Sequence, residues 1–283
     1  MAKFDSVFRS DLFRDKVVLV TGGGSGIGRC SAHELAALGA KVVVAGRKRE
    51  KLDVVVGEIV EDGGTALGVQ LDVRKEDQAN AAVAETISKL GSLDGLVNCA
   101  GGQFVSPVES ISRNGFSAVV ETNLTGTFLM CKEAYNAWMR DHGGAIVNVV
   151  ADMWRGMPYM SHSGAARAGV VNLTQTMALE WAGAGVRVNA VAPGLIDSSG
   201  LDAYPPEVRV AIQGLPKELP AQRLGTESEV SSVIAFLLSP AAAYISGETV
   251  RVDSGSSLYR HPFAFPEHAP SPRFDGFHRR RWK

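Results

Sequence analysis

The sequence predicts an α/β fold: a doubly wound parallel sheet of about seven strands with helices on both faces, built as a single domain. Three observations predict it. Short apolar runs alternate with helical stretches along most of the chain. The runs are continuous rather than alternating, as in strands covered on both faces. A glycine-rich turn, Thr21-Gly22-Gly23-Gly24-Ser25-Gly26-Ile27-Gly28, joins the first run to the first helix. With 283 residues and 45% hydrophobic composition the chain can bury one large core, and nothing in it reads as an interdomain linker.

In chain order, the first strand is Val17-Val18-Leu19-Val20, and the helix after the glycines runs from Arg29 to Leu38. Further strands are expected at Val42 to Ala45, Leu67 to Leu71, Gly95 to Asn98, Ala145 to Val150, Arg187 to Ala192 and Thr249 to Val252. Helices are expected around 50–61, 76–90, 116–140, 164–182 and 227–238. The stretch 198–223, with Tyr204-Pro205-Pro206 and Leu215-Pro216, breaks this alternation just after a strand end. In an open α/β sheet that is where a substrate lid belongs. The domain is expected over 1–258. Residues 259–283 then read as an arm packing on a neighbouring subunit and finishing in a solvated basic tail, His278-Arg279-Arg280-Arg281-Trp282-Lys283.

Lys plus Arg is 29 and Asp plus Glu is 30, a formal balance of −1, so no global basic field recruits nucleic acid. The N-terminus lacks a signal-peptide run and no stretch approaches the roughly 18 apolar residues of a membrane span, which predicts a cytoplasmic protein without membrane attachment. Cys30, Cys99 and Cys131 lie in apolar or helical segments with no CxxC pair and no His cluster. They read as reduced packing residues, and no metal site is expected.

The glycine turn, between strand and helix, predicts a dinucleotide site. Gly22, Gly26 and Gly28, with Gly24, Ser25 and Ile27 between them, let the backbone approach a pyrophosphate, which the free N–H groups of the helix N-terminus attract. NAD sites usually carry an acid about 20 residues past the glycines. Here the second strand ends in Gly46-Arg47-Lys48-Arg49. Arg47 can bind a 2′-phosphate bidentately and Lys48 as a point charge, so NADP(H) is the expected cofactor. The alternative is that these residues are only the solvated start of a helix.

Thr21 to Gly28, Asp72 after a strand, Asn98-Cys99-Ala100-Gly101, Asn123, and Pro193-Gly194 followed by Ile196 and Ser198 together resemble the short-chain dehydrogenase/reductase family over about residues 15–258. The resemblance implies a Rossmann-type sheet. It also implies that Asp72, Val73 and the Asn98–Gly101 turn flank the adenine, that Ile196 and Ser198 meet the nicotinamide carboxamide, and that Asn123 kinks a helix and holds a water. The family's chemistry uses a Ser, a Tyr and a Lys four residues after the Tyr, on one helix face. Alignment on Val171-Asn172-Leu173-Thr174 puts Ala151, Ser163 and Arg167 at those positions. With a pKa above about 12, Arg167 is a poor proton shuttle, and Ser163 is a far weaker acid than Tyr.

Reducing the C=C bond of an α,β-unsaturated thioester suits this set better, because the proton goes to carbon and the enolate needs oxyanion stabilisation. Gly101-Gly102-Gln103-Phe104, the stretch 121–128 and the stretch 162–170 resemble the peroxisomal trans-2-enoyl-CoA reductase and dienoyl-CoA reductase branch. The chain ends Arg281-Trp282-Lys283, without a peroxisomal Ser-Lys-Leu-type address, which suggests a bacterial cytosolic relative. Candidate proton donors are Ser163 through a water, Tyr159, Asp152 and His162. Met153, Trp154, Met157 and Met160 offer an apolar surface that suits an acyl or terpenoid chain and equally suits packing under the lid. Three readings stand: an NADPH-dependent trans-2-enoyl thioester reductase, a citronellol or citronellal dehydrogenase, and an NADP(H)-binding regulator without turnover. Residues 245–253 resemble the family's last strand, which usually pairs near a two-fold axis, and the helices around 116–140 and 164–182 offer apolar faces for a four-helix contact, so a homotetramer is the expectation the resemblance implies.

Overall fold

Apolar runs without a polar face need cover on both sides, and the chain supplies it. A computed structural model describes residues 4–258 and 268–279. Its strands are β1 Val17–Thr21, β2 Lys41–Gly46, β3 Thr65–Gln70, β4 Gly95–Asn98, β5 Gly144–Val149, β6 Val186–Pro193, the short β7 Ile196–Asp197 and β8 Gly225–Thr226, and β9 Thr249–Val252. Seven of them form one sheet in the order β3-β2-β1-β4-β5-β6-β9, every neighbouring pair parallel, and β7 pairs with β8 apart from it.

Alternate residues of each strand enter opposite cores. Val18, Val20, Val42, Val44, Val97 and Val147 face one apolar layer with Leu35, Leu52 and Ile234. Leu19, Val43, Leu96, Ile146 and Val188 face the other with Val83, Met130 and Met177. The first layer is covered by α1 Gly26–Ala37, α2 Arg49–Glu61 and a helix at Glu227–Leu238; the second by α3 Glu76–Leu90, the continuous helix α4 over 113–142, and α5 Ser161–Glu180. Within the excursion after β7 lies α6, Pro206–Gly214, so the helix at Glu227–Leu238 is α7. A capping box starts α7, with Thr226 Oγ1 accepting from Glu229 N at 3.2 Å and Glu229 Oε2 accepting from Thr226 N at 2.9 Å.

The predicted strands and helices lie within a few residues of those observed, and the doubly wound sheet is as the sequence predicts. The helix irregularity expected at Asn123 takes the form of a π turn at Glu121–Thr125 within α4. A second π turn at Tyr135–Met139, and the partly helical excursion after β7, carry no such expectation.

The arm, read as packing on a neighbour, lies over 268–279 against its own chain. Phe277 is buried with Phe4 and Cys30. Arg279 Nη2 pairs with Asp62 at 2.7 Å and Glu61 at 2.9 Å, while Arg223 donates to Ser271 O at 2.9 Å and Pro272 O at 2.7 Å. The reason is physical: Phe4 and the acidic end of α2 supply an apolar seat and counter-charges within the same chain. The rest of the predicted basic tail, from Arg280 on, lies outside the described residues. Among the described residues no helix is long and apolar enough to cross a membrane, and no cluster of His, Cys, Asp or Glu has metal-binding geometry.

Candidate active site

Strand order reverses between β1 and β4, and the loops at their carboxyl ends make the crevice where open α/β sheets bind ligands. Thr21, Asn98 and Asn148 stand side by side in register there. Thr21 Oγ1 accepts from Cys99 N at 3.2 Å and Ala100 N at 3.1 Å, which fixes the turn after β4. Asn98 donates to Asn148 Oδ1 at 2.9 Å, and Asn148 donates to Thr174 Oγ1 at 2.9 Å, so the polar strand ends tie β4 and β5 to α5.

The glycine turn packs onto this edge. A Cβ on Gly28 would lie 2.5 Å from Gly22 O, and one on Gly22, whose φ is +66°, would lie 2.8 Å from Ala100 N. Both positions need glycine for the loop to close. Helix α1 then begins with no acidic residue in its first turn and no side-chain cap from Ser25, leaving its positive end open to an anion. Gly26 N donates to Ser199 Oγ at 3.1 Å, a tie from the excursion after β7 to that helix end. Gly24 lies against Lys51 and Leu52, and Ile27 packs at the edge of the first core layer. This glycine cradle at a helix N-terminus fits a dinucleotide pyrophosphate.

At the end of β2 there is no acid. Arg47 and Lys48 are exposed, and among the described residues no carboxylate pairs with them, whereas Arg49 is committed to Asp53 at 2.8 Å. Asp72 lies nearby, fixed by Arg74 through a 2.5 Å ion pair and a backbone bond at 3.2 Å. The Arg74 bonds, with a smaller contribution from Arg47, pull the Asp72 carboxyl down to about 2. Arg74 was not anticipated; its signal in the sequence was its place two residues after Asp72. Val73 turns its side chain inward, close enough to Gly126 that a Cβ there would lie 2.6 Å away. On the far side of the crevice Pro193 ends β6, Gly194 N donates to Val252 O at 3.0 Å, and Ser198 Oγ accepts from Gly200 N at 3.3 Å. Ile196 is buried in β7 beside a cavity of about 250 Å³ that Leu195, Leu219, Arg223 and Asp253 help to line.

Three segments converge where a reacting group would sit. Asn123, inside the first π turn of α4, accepts from Gly102 N at 2.9 Å and donates to Gly102 O at 3.0 Å. Helix α5 brings Arg167, whose Nη1 donates to Val149 O at 2.6 Å and whose Nη2 lies 2.9 Å from where a Cβ on Gly101 would stand. Its Nε has no partner among the described residues, and burial pulls its pKa below the ordinary arginine value. Ser163, one turn earlier and fully buried, donates to Gln103 Oε1 at 2.7 Å. The Gln103 amide in turn donates to the phenol oxygen of Tyr204. Gln103 and Tyr204 were visible in the sequence only as parts of a loop motif and of the excursion.

The other candidate donors stand elsewhere. Tyr159 is 61% exposed with φ +63°, its carbonyl bonded to Ser106 N at 2.8 Å. His162 is fully buried, accepts from Ser163 N at 2.7 Å and packs edge-on against Phe104. Asp152 lies beside Asp253 and Arg251; burial, then the Asp253 charge, raises its pKa. Cys30, Cys99 and Cys131 are free thiols, and burial pushes Cys99 and Cys131 up to about 12.

Comparison with known proteins fits this geometry. A family profile described as enoyl-(acyl carrier protein) reductase matches residues 22–257. The chain belongs to the short-chain dehydrogenase/reductase family. This short-chain dehydrogenase/reductase is 39% identical over 251 residues to a probable 2,4-dienoyl-CoA reductase of Bacillus subtilis, covering 88% of this chain and 99% of that one. It is 37% identical to a peroxisomal 2,4-dienoyl-CoA reductase of Danio rerio, covering 91% of this chain and 87% of that one. Among solved structures it is similar to a citronellol catabolism dehydrogenase (AtuB) of Pseudomonas aeruginosa, with 51% identity, a TM-score of 0.81, and coverage of 90% of this chain and 100% of that one. The protein is an oxidoreductase of this family, whose cofactor is a nicotinamide dinucleotide.

Proposed function

We propose that this chain is an NADPH-dependent reductase of the C=C bond of an unsaturated acyl thioester, an enoyl- or dienoyl-CoA. The observation that carries the reading is Arg167, a cation with an unpartnered Nε beside the Gly101–Gly102 loop, on a helix face where neither a phenol nor an ammonium stands. The relatives named as dienoyl-CoA reductases add support.

When bound, a reduced nicotinamide dinucleotide supplies the hydride. Arg167 would bind the nicotinamide ribose and face the thioester oxygen as it gains charge; such a donor in a water-poor site is worth roughly 2.7–4 kcal/mol in the transition state. Asn123 holds Gly102, and through it the loop that carries Gln103. Gly22 to Gly28 and the α1 terminus would take the pyrophosphate, Arg47 and Lys48 the 2′-phosphate, Asp72, Asn98 and Ala100 the adenine side, and Pro193, Gly194, Ile196 and Ser198 the carboxamide side. The excursion 198–223 acts as the substrate lid. Met157, which packs against Gly164, and Met160, beside Tyr204, give it an apolar wall for an acyl chain. The protein acts as a cytoplasmic homotetramer.

The 51% identity to a citronellol catabolism dehydrogenase favours a second reading, oxidation of an acyclic terpenoid alcohol. One absorbance screen separates them. NADPH is consumed with enoyl- or dienoyl-CoAs under the first reading; NAD(P)+ is reduced with citronellol under the second. Tight cofactor binding without turnover on either class overturns both.

A further inference from the structure

The standard helix position for a phenol holds Ser163, yet a phenol is present. Tyr204 follows the turn Ser199–Ala203 at the start of the excursion, and its side chain is half-buried over the site. The order of donation is instructive. Ser163 Oγ donates a hydrogen bond to Gln103 Oε1, which orients the amide, and Gln103 Nε2 donates to the Tyr204 oxygen. The phenol oxygen therefore already accepts a hydrogen bond, while its own proton faces, among the described residues, only the weak acceptor Met160 Sδ at 3.9 Å. A donor aimed at the phenol oxygen stabilises the phenolate that forms once that proton leaves.

We propose that Tyr204 is the acid of this site, giving its phenolic proton to the reduced substrate, with Gln103 and Ser163 as the residues that position it. The inference rests on the reductase reading. Hydride from the reduced nicotinamide dinucleotide adds to the β-carbon (in a dienoyl substrate, the far end of the conjugated system), and the displaced π electrons move onto the thioester oxygen. The enolate then forms a C–H bond with the Tyr204 proton; the O–H bond breaks, its electron pair stays on the phenolate oxygen, and water returns a proton to it. Ser163 has committed its proton to Gln103, and Tyr159 is turned toward solvent. The tie between Ser199 Oγ and Gly26 N, five residues before Tyr204, links this acid to the pyrophosphate end of the site.

The test uses the full-length protein with Tyr204→Phe, Ser163→Ala, Gln103→Leu and the double variant Tyr204→Phe/Ser163→Ala. Tyr204→Phe is expected to lower kcat by about a hundredfold or more, while NADPH affinity by titration calorimetry and the melting temperature stay near wild type. Ser163→Ala and Gln103→Leu each cost less, and Ser163→Ala costs nothing further once Tyr204 is Phe, a coupling that independent structural roles do not produce. Product made in deuterated water carries deuterium on one face of the protonated carbon in wild type and on both faces in the residual product of Tyr204→Phe. If Tyr204→Phe keeps more than half of wild-type turnover, or the Ser163 effect persists unchanged in the double variant, Tyr204 is not the acid. A wild type that ignores thioesters but reduces citronellal overturns the substrate reading alone, since the same variants then report proton delivery to the aldehyde oxygen. A wild type that consumes no NADPH with either class overturns both.

Discussion

Glu34 makes the cofactor helix sensitive to pH, and Glu34→Gln tests it. The carboxyl is fully buried between α1 and α7, where it accepts from Ser231 Oγ and, at 2.8 Å, from Ser6 Oγ. Burial outweighs both bonds and raises its pKa from 4.5 to about 7. The folded protein thus keeps a proton that the unfolded chain loses above its ordinary pKa. The resulting stabilisation is fully present below about pH 4.5, declines as pH rises, and is gone above about 7. The rise from 4.5 to about 7 corresponds to about 3 kcal/mol in total, of which about 2.5 kcal/mol falls between pH 5 and pH 8. Gln is nearly isosteric, donates and accepts, and does not titrate. Glu34→Gln should therefore gain on wild type by about 2.5 kcal/mol across that interval, roughly 4 °C in Tm for a chain of this length. Paired thermal melts at several pH values measure the gap. A gap constant to within about 1 °C from pH 5 to pH 8 refutes the reasoning, because the buried carboxyl then stays ionised or is hydrated.

Other perturbations address the site and the assembly. Arg47→Ala/Lys48→Ala should abolish a preference of at least about tenfold for NADPH over NADH, about 1.4 kcal/mol, in titration calorimetry; equal affinities in wild type would remove the 2′-phosphate role. Arg167→Ala should weaken NADPH binding modestly and lower kcat by about a hundredfold or more on the best substrate, whereas retention of more than half the turnover would make Arg167 a structural residue. Light scattering at micromolar concentration should return four copies of the 30.0 kDa chain, and a clean monomer would remove the tetramer.

The fold was legible because the sheet is covered on both sides. Val18 and Val20 enter one core and Leu19 the other, so the run 17–20 carries no polar residue at all, and the same holds for Val42 to Ala45. Glycines marked the cofactor turn because their constraint is local: Gly28 meets Gly22 only six residues away. Other features depend on contacts that no local pattern encodes. The π turn around Asn123 adds one residue to a helical turn without a propensity signal, and the arm's composition did not say whose surface its Phe277 would cover. Glu34 sits on a helix buried almost all round, so its polarity alone would have placed it in solvent.

The same distinction explains how the candidate acid was overlooked. A helix face can be read from i, i+4 spacing, and that spacing puts Ser163 and Arg167 one turn apart on α5. It could register only that a tyrosine was missing from the helix. Gln103 lies 60 residues from Ser163 and 101 from Tyr204, and the three meet because the loop after β4, the start of α5 and the start of the excursion after β7 lie at the carboxyl edge of one sheet. A phenol carried by that excursion would reach the reacting carbon only when the excursion lies over the crevice. Proton delivery would then depend on lid position, whereas a phenol on α5 would be in place at all times. Shortening the excursion while leaving α5 intact should therefore depress turnover as strongly as Tyr204→Phe, with cofactor affinity changed far less. If a shortened excursion left turnover intact, proton delivery would have to be assigned to α5 or to solvent.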